Sequence, residues 1–234
     1  MSHHPTDGAD PRSGGRTGSA VIPYERRLDA DLEWALSEGS RFFDDGGRVQ
    51  DALRRITRRL DELDIPYAVV GGMALFLHGY RRFTEDIDLL VTPDDLKRVH
   101  AALRGRGYLP PFERSKQLRD TESNVRIEFL TTGTFPGDGK PKPVAFPDPL
   151  EAAEERGSIK LLRLERLIEL KLASGMSAPH RLRDLADVQE LIRVTTLPQE
   201  YTERLDASVR EKFLELWELA NRPPSGPDAD VFDE

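Results

Sequence analysis

The 234-residue chain contains no cysteine. That excludes a disulfide framework, a thiolate zinc site and a cysteine nucleophile. No apolar run comes near the roughly 20 residues that a membrane helix needs. Residues 1–20 are rich in Gly, Ser, His and Asp and lack the apolar stretch of a signal peptide. From these absences we expect a cytoplasmic protein with no membrane partner. The formal net charge of -8 argues against broad coating of nucleic acid, although it leaves room for a local basic groove. Arg54, Arg55, Arg58 and Arg59 crowd one stretch, where the simpler reading is a solvated helix face.

What is present falls into four parts. Residues 1–20 and 222–234 are expected to be a disordered leader and tail. Residues 21–150 alternate between helical and strand patterns, with an N-terminal helix and an α/β core. Val49, Leu53, Ile56, Leu60 and Leu63 are spaced for one face of a helix over 48–63. Short strands are expected at 67–70, 85–91 and 125–131, and a helix from Pro93 to about Arg104, capped by Thr92. After a Gly- and Pro-rich loop over 132–149, residues 151–221 read as a helical region. It opens with a short strand at 159–162 and continues in helices over 163–173, 179–193 and 199–220.

The chemistry concentrates around Gly71-Gly72 and Asp86-Ile87-Asp88. Residues two apart on a strand project to the same face, so Asp86 and Asp88 point together while Ile87 points into the core. Two adjacent carboxylates repel, and a shared cation relieves them; all-oxygen ligation suits Mg²⁺. Glu128, the lone acid in an otherwise apolar strand, is placed to be a third ligand. Gly71-Gly72 closes one strand and opens a helix, so bare backbone can approach phosphates there, or simply turn the chain. The P-loop and Rossmann patterns are both missing. Lys171 lies in a helix apolar on nearly all sides, so it either snorkels or faces a polar cleft. Asp184 and Asp187 share a helical face. They either pair with neighbouring arginines, or Asp184 orients Lys171 or an incoming hydroxyl. His78 reads as a core residue at a helix end.

These residues resemble the polymerase-β-like nucleotidyltransferase superfamily, and within it the AbiEii-like group that includes the MenT-type toxins. The likeness runs from about residue 48 to 193. It rests on Gly71-Gly72 through Arg82-x-Thr84-x-Asp86-Ile87-Asp88, on Lys171-Leu172-Ala173, and on Arg181, Arg183, Asp184 and Asp187. Gly72 stands where many members have serine, Glu128 where aspartate is commoner, and Arg183 where lysine is frequent. The resemblance implies an α/β fold of the α+β kind, with a mixed sheet flanked by helices and a helical C-terminal half. It implies Mg²⁺-dependent transfer of a nucleoside monophosphate from an NTP. Asp86, Asp88 and Glu128 would hold metal, while Gly71, Gly72, Arg82, Thr84 and Lys171 would bind the nucleotide. Asp86, Asp88, Glu128, Lys171 and Asp184 would form the catalytic set. It further implies an acceptor such as tRNA or a protein, and a toxin with a cognate antitoxin. Transfer to a small molecule of the aminoglycoside type, and a catalytically silent NTP-binding module, are the rival readings.

Overall fold

The structure, a computed structural model, describes residues 22–44 and 46–223. The expected leader over 1–20 lies outside the described residues, as does the tail beyond residue 223. Two helices come first, α1 (Tyr24–Ala30) and α2 (Leu32–Phe43), with Asp31 capping the second by accepting from the Trp34 N–H. Next is α3 (Arg48–Glu62), which buries Val49, Leu53, Ile56 and Leu60 and turns its arginines outward, as an amphipathic helix must. The strand β1 (Ala68–Val70) then runs directly into α4 (Gly71–Leu77).

The centre of the fold is a seven-stranded mixed sheet ordered β3-β4-β5-β2-β1-β7-β6. Its remaining strands are β2 (Asp86–Val91), β3 (Tyr108–Leu109), β4 (Leu118–Asp120), β5 (Arg126–Thr131), β6 (Ala153–Arg156) and β7 (Ile159–Leu162). β2 is antiparallel to β1 and parallel to β5, and β1 is parallel to β7. This is the mixed sheet flanked by helices expected from the sequence. The sheet continues past residue 150, because β6 and β7 complete it on the β1 side. α5 (Pro93–Leu103) is capped by Thr92, whose hydroxyl accepts from the Asp95 N–H at 3.1 Å, with Pro93 in the first turn. Among the described residues no helix is long and apolar enough to cross a membrane.

After the short α6 (Pro149–Ala152) and the β6–β7 hairpin come α7 (Leu164–Ser177) and α8 (Leu182–Thr195), packed against each other. One helix was expected over 199–220. Instead, the chain makes two 3₁₀ segments (Gln199–Arg204 and Ala207–Val209) before α9 (Arg210–Asn221). Asp206 causes the break. Its carboxylate accepts from the Ser208 N–H and hydroxyl, and its own N–H donates to buried Glu169 at 2.7 Å instead of continuing a helix.

Candidate active site

Alternation along β2 and β5 builds one wall of a cleft. Ile87, Leu89, Ile127 and Phe129 are buried on one face, leaving Asp86, Asp88, Arg126, Glu128 and Leu130 half-buried on the other. The register sets Asp88 between Val70 and Glu128 on adjacent strands, and Asp86 beside Arg126. The cleft has a volume of about 540 Å³. All nine residues singled out in the sequence line it: Gly71, Gly72, Arg82, Thr84, Asp86, Asp88, Glu128, Lys171 and Asp184. Phe135 and Phe146, from the 132–148 loop, line it together with Leu130, Leu167 and Leu170.

The two glycines are required by what stands opposite them. Gly71 has φ +61°, and a Cβ there would run into the Asp88 carboxylate. A Cβ on Gly72 would lie 2.5 Å from Thr84 Oγ1, so Thr84 fills the space that a serine at 72 would occupy. Backbone replaces side chain at this corner, which lets the first turn of α4 come up against the acidic strand.

Asp88 keeps part of its surface open to the cleft but has protein packed closely around it. Burial, and then the charges of Asp86 and Glu128, push its carboxyl up to about 7, against the opposing pull of Lys171 and Arg126. The acid row is therefore short of positive charge. Oxygen donors of this kind suit a hard divalent cation such as Mg²⁺, and the raised Asp88 is what such a cation would relieve. Among the described residues no three acid, histidine or cysteine side chains already form a metal cage. Asp86 is turned aside, with Oδ2 accepting from Arg126 and Oδ1 from Thr84 Oγ1 at 3.1 Å.

The opposite wall is α7 and α8. Lys171 does not snorkel. It is buried, and its Nζ donates to Asp184 at 2.8 Å and Asp187 at 2.7 Å. Ser174 Oγ and Arg181 Nε both donate to the other Asp184 oxygen, at 2.7 and 2.8 Å. Arg82 reaches across from the sheet side to Asp187, Nε to Oδ1 at 3.0 Å. Burial alone would raise the Asp184 carboxyl, but Lys171, Ser174 and Arg181 hold it below the usual carboxylate range. Asp184 thus pairs with an arginine and also positions Lys171. An ammonium has three N–H donors, and two are engaged here, so one remains for a ligand.

Sequence reading gave Asp187 a shared helix face, a pairing with neighbouring arginines and a place in the motif, but not the role it has here, joining Lys171 to Arg82. It missed Arg126 as well. The available signal was that Arg126-x-Glu128 repeats the two-residue spacing of Asp86-x-Asp88 on the neighbouring strand. The α3 arginines do not line the cleft; Arg54 pairs with Asp51, Arg55 with Asp120 and Glu122, and Arg59 with Glu62. His78 is buried, with Nε2 2.8 Å from the Leu162 carbonyl, and burial lowers its pKa, as fits a core histidine.

No curated protein matches the chain by sequence. Among solved structures it is similar to ANT(2″)-Ia in complex with adenylyl-2″-tobramycin, at 15% identity and TM-score 0.48, over 70% of this chain and 96% of that one. A putative nucleotidyltransferase from Helicobacter pylori is 21% identical at TM-score 0.39, over 73% and 91% of the two chains. Another from Thermotoga maritima is 18% identical at TM-score 0.40, over 58% and 89%. These likenesses are too distant to assign chemistry to residues. A family model covers nearly all of the described residues, matching 25–216, and by it the chain belongs to the family described as uncharacterised nucleotidyltransferase.

Proposed function

We propose that this nucleotidyltransferase moves a nucleoside monophosphate from an NTP to an acceptor hydroxyl, using a divalent cation held by Asp86, Asp88 and Glu128. One observation carries the reading: three carboxylates share a cleft wall with Gly71-Gly72, opposite a buried lysine. A bound Mg²⁺ would supply positive charge to the triphosphate oxygens. Gly71 and Gly72 would bring backbone N–H groups to the β and γ phosphates, with Thr84 and Arg82 at their border. Lys171, positioned by Asp184 and Asp187, would offset charge on the departing pyrophosphate with its remaining N–H. The acceptor oxygen bonds to the α-phosphorus as the bond to the bridging oxygen breaks. Pyrophosphate leaves with that electron pair, and Glu128 takes the hydroxyl proton. Phe135, Phe146 and Leu130 offer an apolar surface against which a flat base can lie.

The acceptor reading favoured here is an RNA end, tRNA first. His180, Arg181 and Arg183 line the same cleft, and Arg183 is exposed with no ion-pair partner among the described residues. With the AbiEii-like resemblance this reading extends to a toxin that has a cognate antitoxin. The separation of the α3 arginines from the cleft favours a second reading, a small-molecule acceptor of the aminoglycoside type. The test is label transfer from each α-labelled NTP, with Mg²⁺, to total tRNA, cell protein or an aminoglycoside, run beside Asp86→Ala. Label on tRNA that disappears in the variant is the expected result. Label only on the aminoglycoside or protein overturns the RNA acceptor and leaves the transferase. NTP bound with no label moved to any acceptor would sink the transferase reading in favour of a silent module.

A further inference from the structure

Asp86 already has a cationic partner. Arg126 Nη2 donates to its Oδ2 at 2.5 Å, from the register position beside it on β5. Among the described residues this is the only side-chain hydrogen bond Arg126 makes, and its Nε is buried with no partner. A guanidinium has five N–H donors in a fixed fork. Held by one of them, with 38% of its side chain exposed, Arg126 is a charge tethered at a single donor. On its other side it faces Arg119 of β4 in register, a like-charged cross-strand pair. Glu25 of α1 answers that pair. Its carboxylate takes two bonds from Arg119, at 2.8 and 3.0 Å, and is also stabilised by the charge of Arg126. Arg126 therefore stands between a carboxylate inside the cleft and one outside it.

We infer that Arg126 is a built-in counter-ion that competes with the divalent cation for Asp86, and that Glu25 sets the strength of that competition. The inference rests on the acid-row reading above. A guanidinium and a dication cannot share one carboxylate without strong mutual repulsion. One positive charge also neutralises the three-acid row less well than two, so the dication displaces the arginine. The released guanidinium then turns toward Glu25, which couples α1 to the occupancy of the cleft.

The experiment is calorimetric titration of the full chain with Mg²⁺ and Mn²⁺, comparing wild type with Arg126→Met, Arg126→Lys and Glu25→Gln. Removing the competitor should tighten cation binding about tenfold in Arg126→Met, while Arg126→Lys, which keeps the charge, stays near wild type. Glu25→Gln leaves Arg126 to Asp86 alone and should weaken binding about threefold. If Arg126 merely props Asp86, Arg126→Met binds more weakly; that result, or unchanged affinity, overturns the inference. Glu25 lies outside the cleft, so should Arg126→Met fail to fold, tighter or unchanged binding in Glu25→Gln overturns it instead. A wild type that binds no cation overturns the acid-row reading along with the inference. Cation-dependent label transfer alongside an unshifted Arg126→Met affinity overturns the inference alone.

Discussion

The two walls of the cleft solve the same electrostatic problem in opposite ways. On the sheet side, three carboxylates sit in two adjacent strands with one tethered arginine among them, and Asp88 is driven toward neutrality. On the helical side, Lys171, Arg82 and Arg181 meet Asp184 and Asp187 in a network where both carboxylates are paired, three cations to two anions. A wall whose carboxylates are all paired gains little from an added cation and is fixed in place by its bonds. A wall with surplus negative charge is the one that an added cation would stabilise. Under the proposed transfer, the first wall is where ligand charge would be needed and the second is where ligand would be positioned.

The largest effect should come from breaking the paired wall. Lys171→Met leaves Asp184 and Asp187 buried without their shared ammonium, and losing one partner of a buried pair costs about 3–5 kcal/mol. Urea unfolding reads this directly, and a loss below about 1 kcal/mol would mean that the network is not holding the helices. The unbalanced wall should behave in reverse. Because the folded state raises the Asp88 carboxyl from near 4 to about 7, the native protein binds the extra proton in that window. Metal-free stability should then fall as pH rises from about 4 to 7, by on the order of a few kcal/mol, and Asp88→Asn should flatten the slope. Asp184 has the opposite sign, since its carboxyl is lowered. Its contribution is present above about pH 4 and lost as pH falls further. Thermal melts across pH, wild type against Asp88→Asn, separate the two, and an identical slope in both proteins would refute the surplus-charge picture.

Smaller changes sharpen the boundary between the walls. Gly71→Ala adds a Cβ at φ +61° against the Asp88 carboxylate and should cost about 1–3 kcal/mol by strain, with Asp88 displaced. A stable Gly71→Ala protein that transfers label normally would show that the glycine serves only the turn. Thr84→Val removes the bond to Asp86 Oδ1 at a cost of about 1 kcal/mol. The freed Asp86 should respond more strongly to added cation, as a melting temperature measured with and without Mg²⁺ would reveal.

Much of this was legible in the sequence where a period was repeated often enough to be seen. The stripe Val49, Leu53, Ile56 and Leu60 gave α3, and Thr92-Pro93 gave the start of α5. Asp86-x-Asp88 alternated against Ile87 and Leu89, and this placed the acids on one face. The short elements were not legible. β3 has two residues and β4 three, too few for alternation to register. α2 exposes Leu32 and Leu36, so its apolar positions do not mark a buried stripe. The break at Asp206 depends on Glu169, distant in sequence, accepting its N–H. The pairing of Arg126 with Asp86 likewise depends on the parallel register of β2 and β5, which no local pattern encodes.

The parallel pairing of β1 with β7 also fixes an order of events on the ribosome. β1 carries the chain into Gly71, but the strand that covers its far edge arrives only with Ile159–Leu162. A nascent chain that has emerged only through β5 holds the acid row complete and an apolar strand edge open, which invites pairing with other chains. The lysine, serine and aspartates of the second wall are translated later still. Synthesis therefore delivers the acidic wall of the cleft first and its lysine-bearing wall last, so the two cannot face each other until α8 has left the exit tunnel.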